Sequence, residues 1–204
     1  MDNNQYRPTV LPPSSEQIKS MIDMYHLSEV SVERLGLAFD IGMGYIDIDS
    51  DLSYAWLKES EKQAKSLLNK PIEARSLIGQ AMILFWEKTE ESETKARTLI
   101  ERALSLMSDI PIWDIRARAT MFKGIALAHI EDFAGAFYCF QEANQIGNLH
   151  KVKDLDLKAY IEDFLNECRT ILSRSQFTDF DFEAIIRELE ELKCWFPKYS
   201  KELQ

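Results

Sequence analysis

A chain of 204 residues with 46% hydrophobic content can bury a sizeable core in one structural unit, and its net charge of −10 disfavours a nucleic-acid backbone or an anionic lipid surface as partner. No apolar run is long enough to cross a bilayer, and residues 1–13 lack the basic-then-apolar pattern of a secretory signal, so a cytoplasmic protein is expected. The cysteines, Cys139, Cys168 and Cys194, are odd in number, far apart and without a CxxC pair, which points to buried thiols rather than disulfides or a zinc site.

Residues 1–13, with Pro8, Pro12 and Pro13, read as a disordered tail ahead of a single domain over 14–204. Ser14 and Gln17 have capping-box spacing, and Ile18, Met21, Ile22 and Tyr25 follow at i, i+3, i+4 and i+7, so a helix is predicted over 14–26. A second helix over 29–43 comes close behind. Such a pair raises a helix-turn-helix DNA reader, although Arg34 is the only basic residue between Glu29 and Phe39.

Leu35-Gly36, Ala38-Phe39, Gly42-Met43-Gly44, Asp49, Ser53, Trp56-Leu57 and Ser60 follow in order, the latter part on a predicted helix over 50–68. No strand precedes the two glycines of Gly42-Met43-Gly44 and no Lys-Ser/Thr follows them, so they are read as a loop needing positive φ rather than a phosphate cradle. Asp47, Asp49 and Asp51 alternate like the start of a calcium loop, but Leu52 stands where Gly is needed and Lys58 where Glu should close the shell. A helix-capping acidic loop is the expectation there.

Downstream, Gly79, Ala81 and Met82 stand in register with Gly36, Ala38 and Phe39, and Ala96, Ile100 and Ala103 with Ser53, Leu57 and Ser60. Helices are predicted over 71–89 and 91–107, with Pro71 at a helix N-terminus and Pro111 playing the same part for a helix over 111–130. Helices over 133–147 and 150–173 come next, the second carrying Leu157, Ile161, Phe164, Leu165, Cys168 and Leu172. A last one over 180–196 carries Phe182, Ile185, Ile186, Leu189 and Leu192.

Between Ala117 and Asn148 the chain carries Gly124, Leu127, Asp132-Phe133, Ala136, Phe140 and Ala143, in an order and spacing that resembles the tetratricopeptide repeat, a helix-turn-helix unit of about 34 residues. It departs from that pattern at Thr120, Lys123 and Asn148. The stretch from Leu35 to Ser60 is similar to the longer SEL-like variant, with serines where alanines are usual at Ser53 and Ser60. The resemblance implies an all-α, right-handed α-solenoid of stacked helical hairpins, with repeats near 30–68, 71–107 and 117–148 and terminal capping helices within 14–26 and 150–196. It implies a non-enzymatic adaptor or regulator that holds a peptide or helix of a partner protein in a concave groove. The positions it assigns to the ligand are Arg118, Met121, Ile125 and His129 in the third repeat, Glu73, Ser76, Gln80 and Ile83 in the second, and Glu33, Leu37 and Asp40 in the first. A cytosolic chaperone of an exported protein would use the same fold and stays open, as does a regulator with an N-terminal helix-turn-helix.

Nothing in the sequence argues for chemistry. His26, His129 and His150 lack a second ligand at helical spacing, and there is no nucleophile elbow or phosphate loop, so no catalytic, metal or cofactor residue is assigned. Trp56, Trp86, Trp113 and Trp195 are expected to pack between helices, whereas an exposed tryptophan beside a groove would be a hot spot. The expected partner is a protein or peptide, with a homodimer open and neither nucleic acid nor membrane foreseen.

Overall fold

The computed structural model describes residues 13–29, 31–153 and 155–174. These form eight α-helices and no strand: α1 (Ser15–Leu27), α2 (Val32–Tyr45), α3 (Ser50–Ser66), α4 (Lys70–Glu87), α5 (Glu90–Leu106), α6 (Trp113–His129), α7 (Phe133–Leu149) and α8 (Leu155–Arg174). The tail over 1–12, the helix predicted over 180–196, Cys194 and Trp195 lie outside the described residues. No described helix is long and apolar enough to cross a membrane.

Local chemistry sets most helix starts. Ser14 and Gln17 form the reciprocal capping box, with Ser14 N–H donating to Gln17 Oε1 at 2.7 Å and Gln17 N–H to Ser14 Oγ at 3.3 Å. Asp49 of the acidic loop caps α3 by accepting from Leu52 N–H at 2.9 Å, and Asp132 caps α7 by accepting from Gly135 N–H at 2.9 Å. Pro71 sits in the first turn of α4, as its fixed φ allows. Pro111 does not repeat that role: it precedes the N-cap Ile112, whose side chain makes no capping bond.

Helix ends are unusual in turning without glycine. Leu68, Lys88, Glu131 and Lys151 adopt φ of +51° to +62°. After α3, α6 and α7 the next N–H closes a wide turn, from Asn69 to Ala64 O at 2.8 Å, Asp132 to Leu127 O at 3.0 Å and Val152 to Gly147 O at 2.9 Å. Connections of two to six residues then join the helices.

Every helix from α2 to α7 packs on both of its chain neighbours, and α4 also touches α2 and α6 across the intervening helices. The main core runs from Ala74 to Leu172, and a smaller cluster joins Ile18 and Tyr25 of α1 to Ala38 and Ile41 of α2. Ala96, Ala103, Ala136 and Ala143 are fully buried, so their helices sit close, while Phe137 and Phe140 fill the space between.

The helical glycines are seats for side chains. Gly42 and Gly44, expected in a loop of positive φ, lie inside α2, and no described glycine has positive φ. A Cβ on Gly42 would come 2.8 Å from Leu57 Cγ, and one on Gly79 would come 2.9 Å from Leu57 Cδ1, so Leu57 of α3 is held between α2 and α4. A Cβ on Gly44 would come 2.9 Å from Pro13 Cγ, and one on Gly124 only 2.7 Å from Phe140 Cε1. Gly36 has no such neighbour within 4 Å, so its sequence register with Gly79 does not reflect a shared contact.

Replacing Gly124 with Ala should therefore cost about 1–3 kcal/mol through overpacking, while Gly36→Ala should be neutral or stabilising by up to about 1 kcal/mol through helix propensity. Thermal melts of the two variants check the contrast, since the melting temperature should fall for the first and hold or rise for the second.

Candidate partner-binding surface

On α6, Asp114, Arg118, Met121, Ile125 and His129 recur at spacings of three and four and so share one face. Asp114 Oδ2 accepts from Arg75 Nη2 of α4 at 3.2 Å. On α4 itself, Arg75, Met82 and Trp86 share a stripe by the same periodicity, and Trp86 is 50% exposed. On α2, partial desolvation of the surface carboxyl raises the pKa of Asp40 and the positive charge of Arg75 partly offsets it. Asp40, Arg75 and Asp114 thus form a row of alternating sign across α2, α4 and α6, the helices that meet through α4.

The first-repeat positions do reach the surface. Glu33 and Asp40 are exposed and Leu37 is half-buried; with Met24 and Leu27 of α1 they line an open hollow of about 460 Å³. In the third repeat Arg118 and Ile125 are half-buried and Met121 is buried, against the expectation that it faces outward. His129 is exposed, with Nδ1 3.2 Å from Glu93 Oε1 and its ring edge-on to Phe85.

The second-repeat positions are corrected outright, because Glu73, Ser76, Gln80 and Ile83 are all buried. Ser76 Oγ meets Ser60 Oγ of α3 at 2.9 Å, and Gln80 Nε2 donates to Glu61 Oε2 of α3 at 2.9 Å. Glu73 is ion-paired with Arg102 of α5. The repeat resemblance placed them outward, but the groups that Glu73, Ser76 and Gln80 meet come from other helices. The register that carried Glu33, Leu37 and Asp40 onto Ser76, Gln80 and Ile83 points to the wrong side of α4; Arg75 and Trp86 are exposed on the other side, with Met82 half-buried and Gly79 between them packed against Leu57. Trp86 is also a correction, being exposed rather than packed. Trp56 and Trp113 are half-buried, the first edge-on to Tyr25 and the second stacked on His150 with centroids 3.6 Å apart.

Four of the buried and half-buried polar groups, Glu61, Glu73, Gln80 and Arg102, form one network. Glu61, 7% exposed, receives Lys65 Nζ at 2.6 Å, Arg102 Nη1 at 2.9 Å and Gln80 Nε2 at 2.9 Å. Arg102 joins Glu61 of α3 to Glu73 of α4 and so ties α3, α4 and α5 together. Burial pushes the Glu61 carboxyl upward, but hydrogen bonds from Lys65, Gln80 and Arg102 outweigh it and hold the group below its ordinary value.

Elsewhere, burial raises the Cys139 and Cys168 thiols to about 11, so both stay protonated and unreactive at neutral pH. Among the described residues no cluster of His, Cys, Asp or Glu has an arrangement suited to a metal ion. The guanidinium of Arg34 lies 4.4 Å over the Tyr25 ring and donates to Ser28 O at 3.2 Å. No protein-family model matches the sequence, and no curated protein is significantly similar to it.

Arg102→Leu should destabilise the chain by about 3 kcal/mol, because the buried Glu73 loses its ion-pair partner and Glu61 keeps only Lys65 and Gln80. Adding Glu61→Gln and Glu73→Gln should restore much of the loss, as read from urea unfolding. Because the folded-state pKa of Glu61 is depressed, its contribution is fully present above its unfolded value near 4.5 and is lost as pH falls through the lower folded value. The wild type should show that acid-side decline and Glu61→Gln a shallower one, in unfolding free energies measured from neutral pH down to the acid transition.

Proposed function

We propose that this chain is a non-enzymatic, cytoplasmic adaptor or regulator whose helices stack as a right-handed, tetratricopeptide-like solenoid and hold a peptide or helix of a partner protein along the surface of α2, α4 and α6. The carrying observation is the row Asp40, Arg75 and Asp114, spanning three helices, with an exposed Trp86 about three turns along α4 from Arg75. Contact of α4 with both α2 and α6 supports the stacking, since a solenoid brings the first helices of successive hairpins together. A half-exposed tryptophan and a charge row on one helix suit recognition of an extended segment: the indole supplies contact area with few torsions to freeze, and the charges set orientation. The half-buried Arg118 and the exposed His129 extend the surface along α6.

The test is capture of a partner from the native host with wild-type protein, followed by affinity measurement on Trp86→Ala and Arg75→Glu. Trp86→Ala should weaken binding by about 2 kcal/mol or more, and Arg75→Glu should weaken it too. Both should leave stability within about 0.5–1 kcal/mol, since these are exposed sites and an exposed ion pair adds little. Unchanged affinity in both variants would remove this surface from the reading.

A further inference from the structure

The hollow between α1 and α2 has an apolar lining and an acidic rim. Leu27, 86% exposed, and Met24, 46% exposed, stand on one side with Leu37 opposite. Glu33 and Asp40 lie on the same face of α2, seven residues and so about 10 Å apart along the helix axis. Neither carboxylate has an ion-pair partner at bonding distance among the described residues. The cations nearby are engaged, Arg34 over Tyr25 and Arg75 in a salt bridge with Asp114, so that Arg75 acts on Asp40 only through its longer-range charge.

We propose that this hollow docks an amphipathic helix of a partner protein, whose leucine-like side chains enter between Met24, Leu27 and Leu37 and whose lysines or arginines, about two turns apart, meet Glu33 and Asp40. The inference rests on the reading of the chain as a protein-binding module and names the partner's chemistry. An open apolar hollow takes side chains of a helix at i, i+3 and i+7 spacing, and two unpaired carboxylates at its edge select for positive flanks and against negative ones. A second copy of this chain fits less well, because a two-fold contact would set Glu33 and Asp40 against their own like charges. The chain's residues 175–204 carry seven acidic side chains against four basic ones and are the wrong sign. Residues 1–12 offer Arg7 as their single basic side chain.

The experiment uses the full chain and two labelled synthetic helices: one with a leucine stripe flanked by lysines, the other identical but with glutamates for the lysines. By fluorescence anisotropy the wild type should prefer the lysine probe by about tenfold or more, with the preference shrinking as salt is added. Leu27→Asp should weaken that probe about tenfold, on a side chain too exposed to matter for folding. Glu33→Lys with Asp40→Lys should invert the preference, whereas Glu90→Lys with Glu91→Lys, an equal charge change at the exposed start of α5, should leave it intact.

Absence of lysine-probe binding, or a preference that both charge swaps alter equally, overturns the proposal. Binding that is lost in Trp86→Ala but kept in Leu27→Asp also overturns it, while leaving the α2, α4 and α6 surface as the partner site. A dimer that Leu27→Asp dissociates would assign the hollow to a second copy. Probe binding tightened about tenfold by Arg7→Glu would assign it to the chain's own first residues, since removing a competing cation would free the site. Each of those two results excludes the partner helix.

Discussion

The placement of Leu57 governs how the helices sit. Its side chain is wedged between Gly42 of α2 and Gly79 of α4, where an added methyl group would lie 2.8 and 2.9 Å from it. A glycine inside a helix costs about 1 kcal/mol relative to alanine, and two are spent around this one residue. What they allow is contact between α2 and α4 past α3, without which Arg75 of α4 could not lie near Asp40 of α2. Ser53 reinforces the same joint by donating from Oγ to Gly42 O at 2.7 Å. Both buried serines of α3 are therefore used: Ser53 bonds to α2, and Ser60 meets Ser76 of α4.

Polarity inside the bundle adds direction to a contact that is otherwise only close. The Gln80 amide N–H and the Glu73 carboxylate find their partners only when α4 presents them to Glu61 and Arg102. That orientation turns Arg75, Met82 and Trp86 to the opposite side. The surface proposed for a partner is thus set by what is buried behind it.

Helix positions, the Ser14–Gln17 cap and the role of Asp49 were legible in the sequence, because period, cap chemistry and turn residues act within a few positions of one another. The face of α4 was not. Glu73, Ser76 and Gln80 look like surface residues until partners 16 to 29 residues away are placed beside them. Trp86 was missed for a related reason, since an aromatic at the end of an apolar helix reads as core unless the phase of the helix is known. A periodicity count on α4 alone would have placed Arg75 and Trp86 on one stripe, and that signal was outweighed by the register carried over from α2. The glycines of α2 were misread because a G-x-G stretch marks loops more often than side-chain seats.

The account comes down to whether the Trp86 stripe meets the partner. Hydroxyl-radical footprinting of Trp56, Trp86 and Trp113, with and without the captured partner, reads this directly. Trp86 should oxidise fastest in the free protein, where it is half exposed, and should be protected in the complex while Trp113, stacked on His150, is unchanged. Protection of Trp113 with Trp86 as reactive as before would contradict the account.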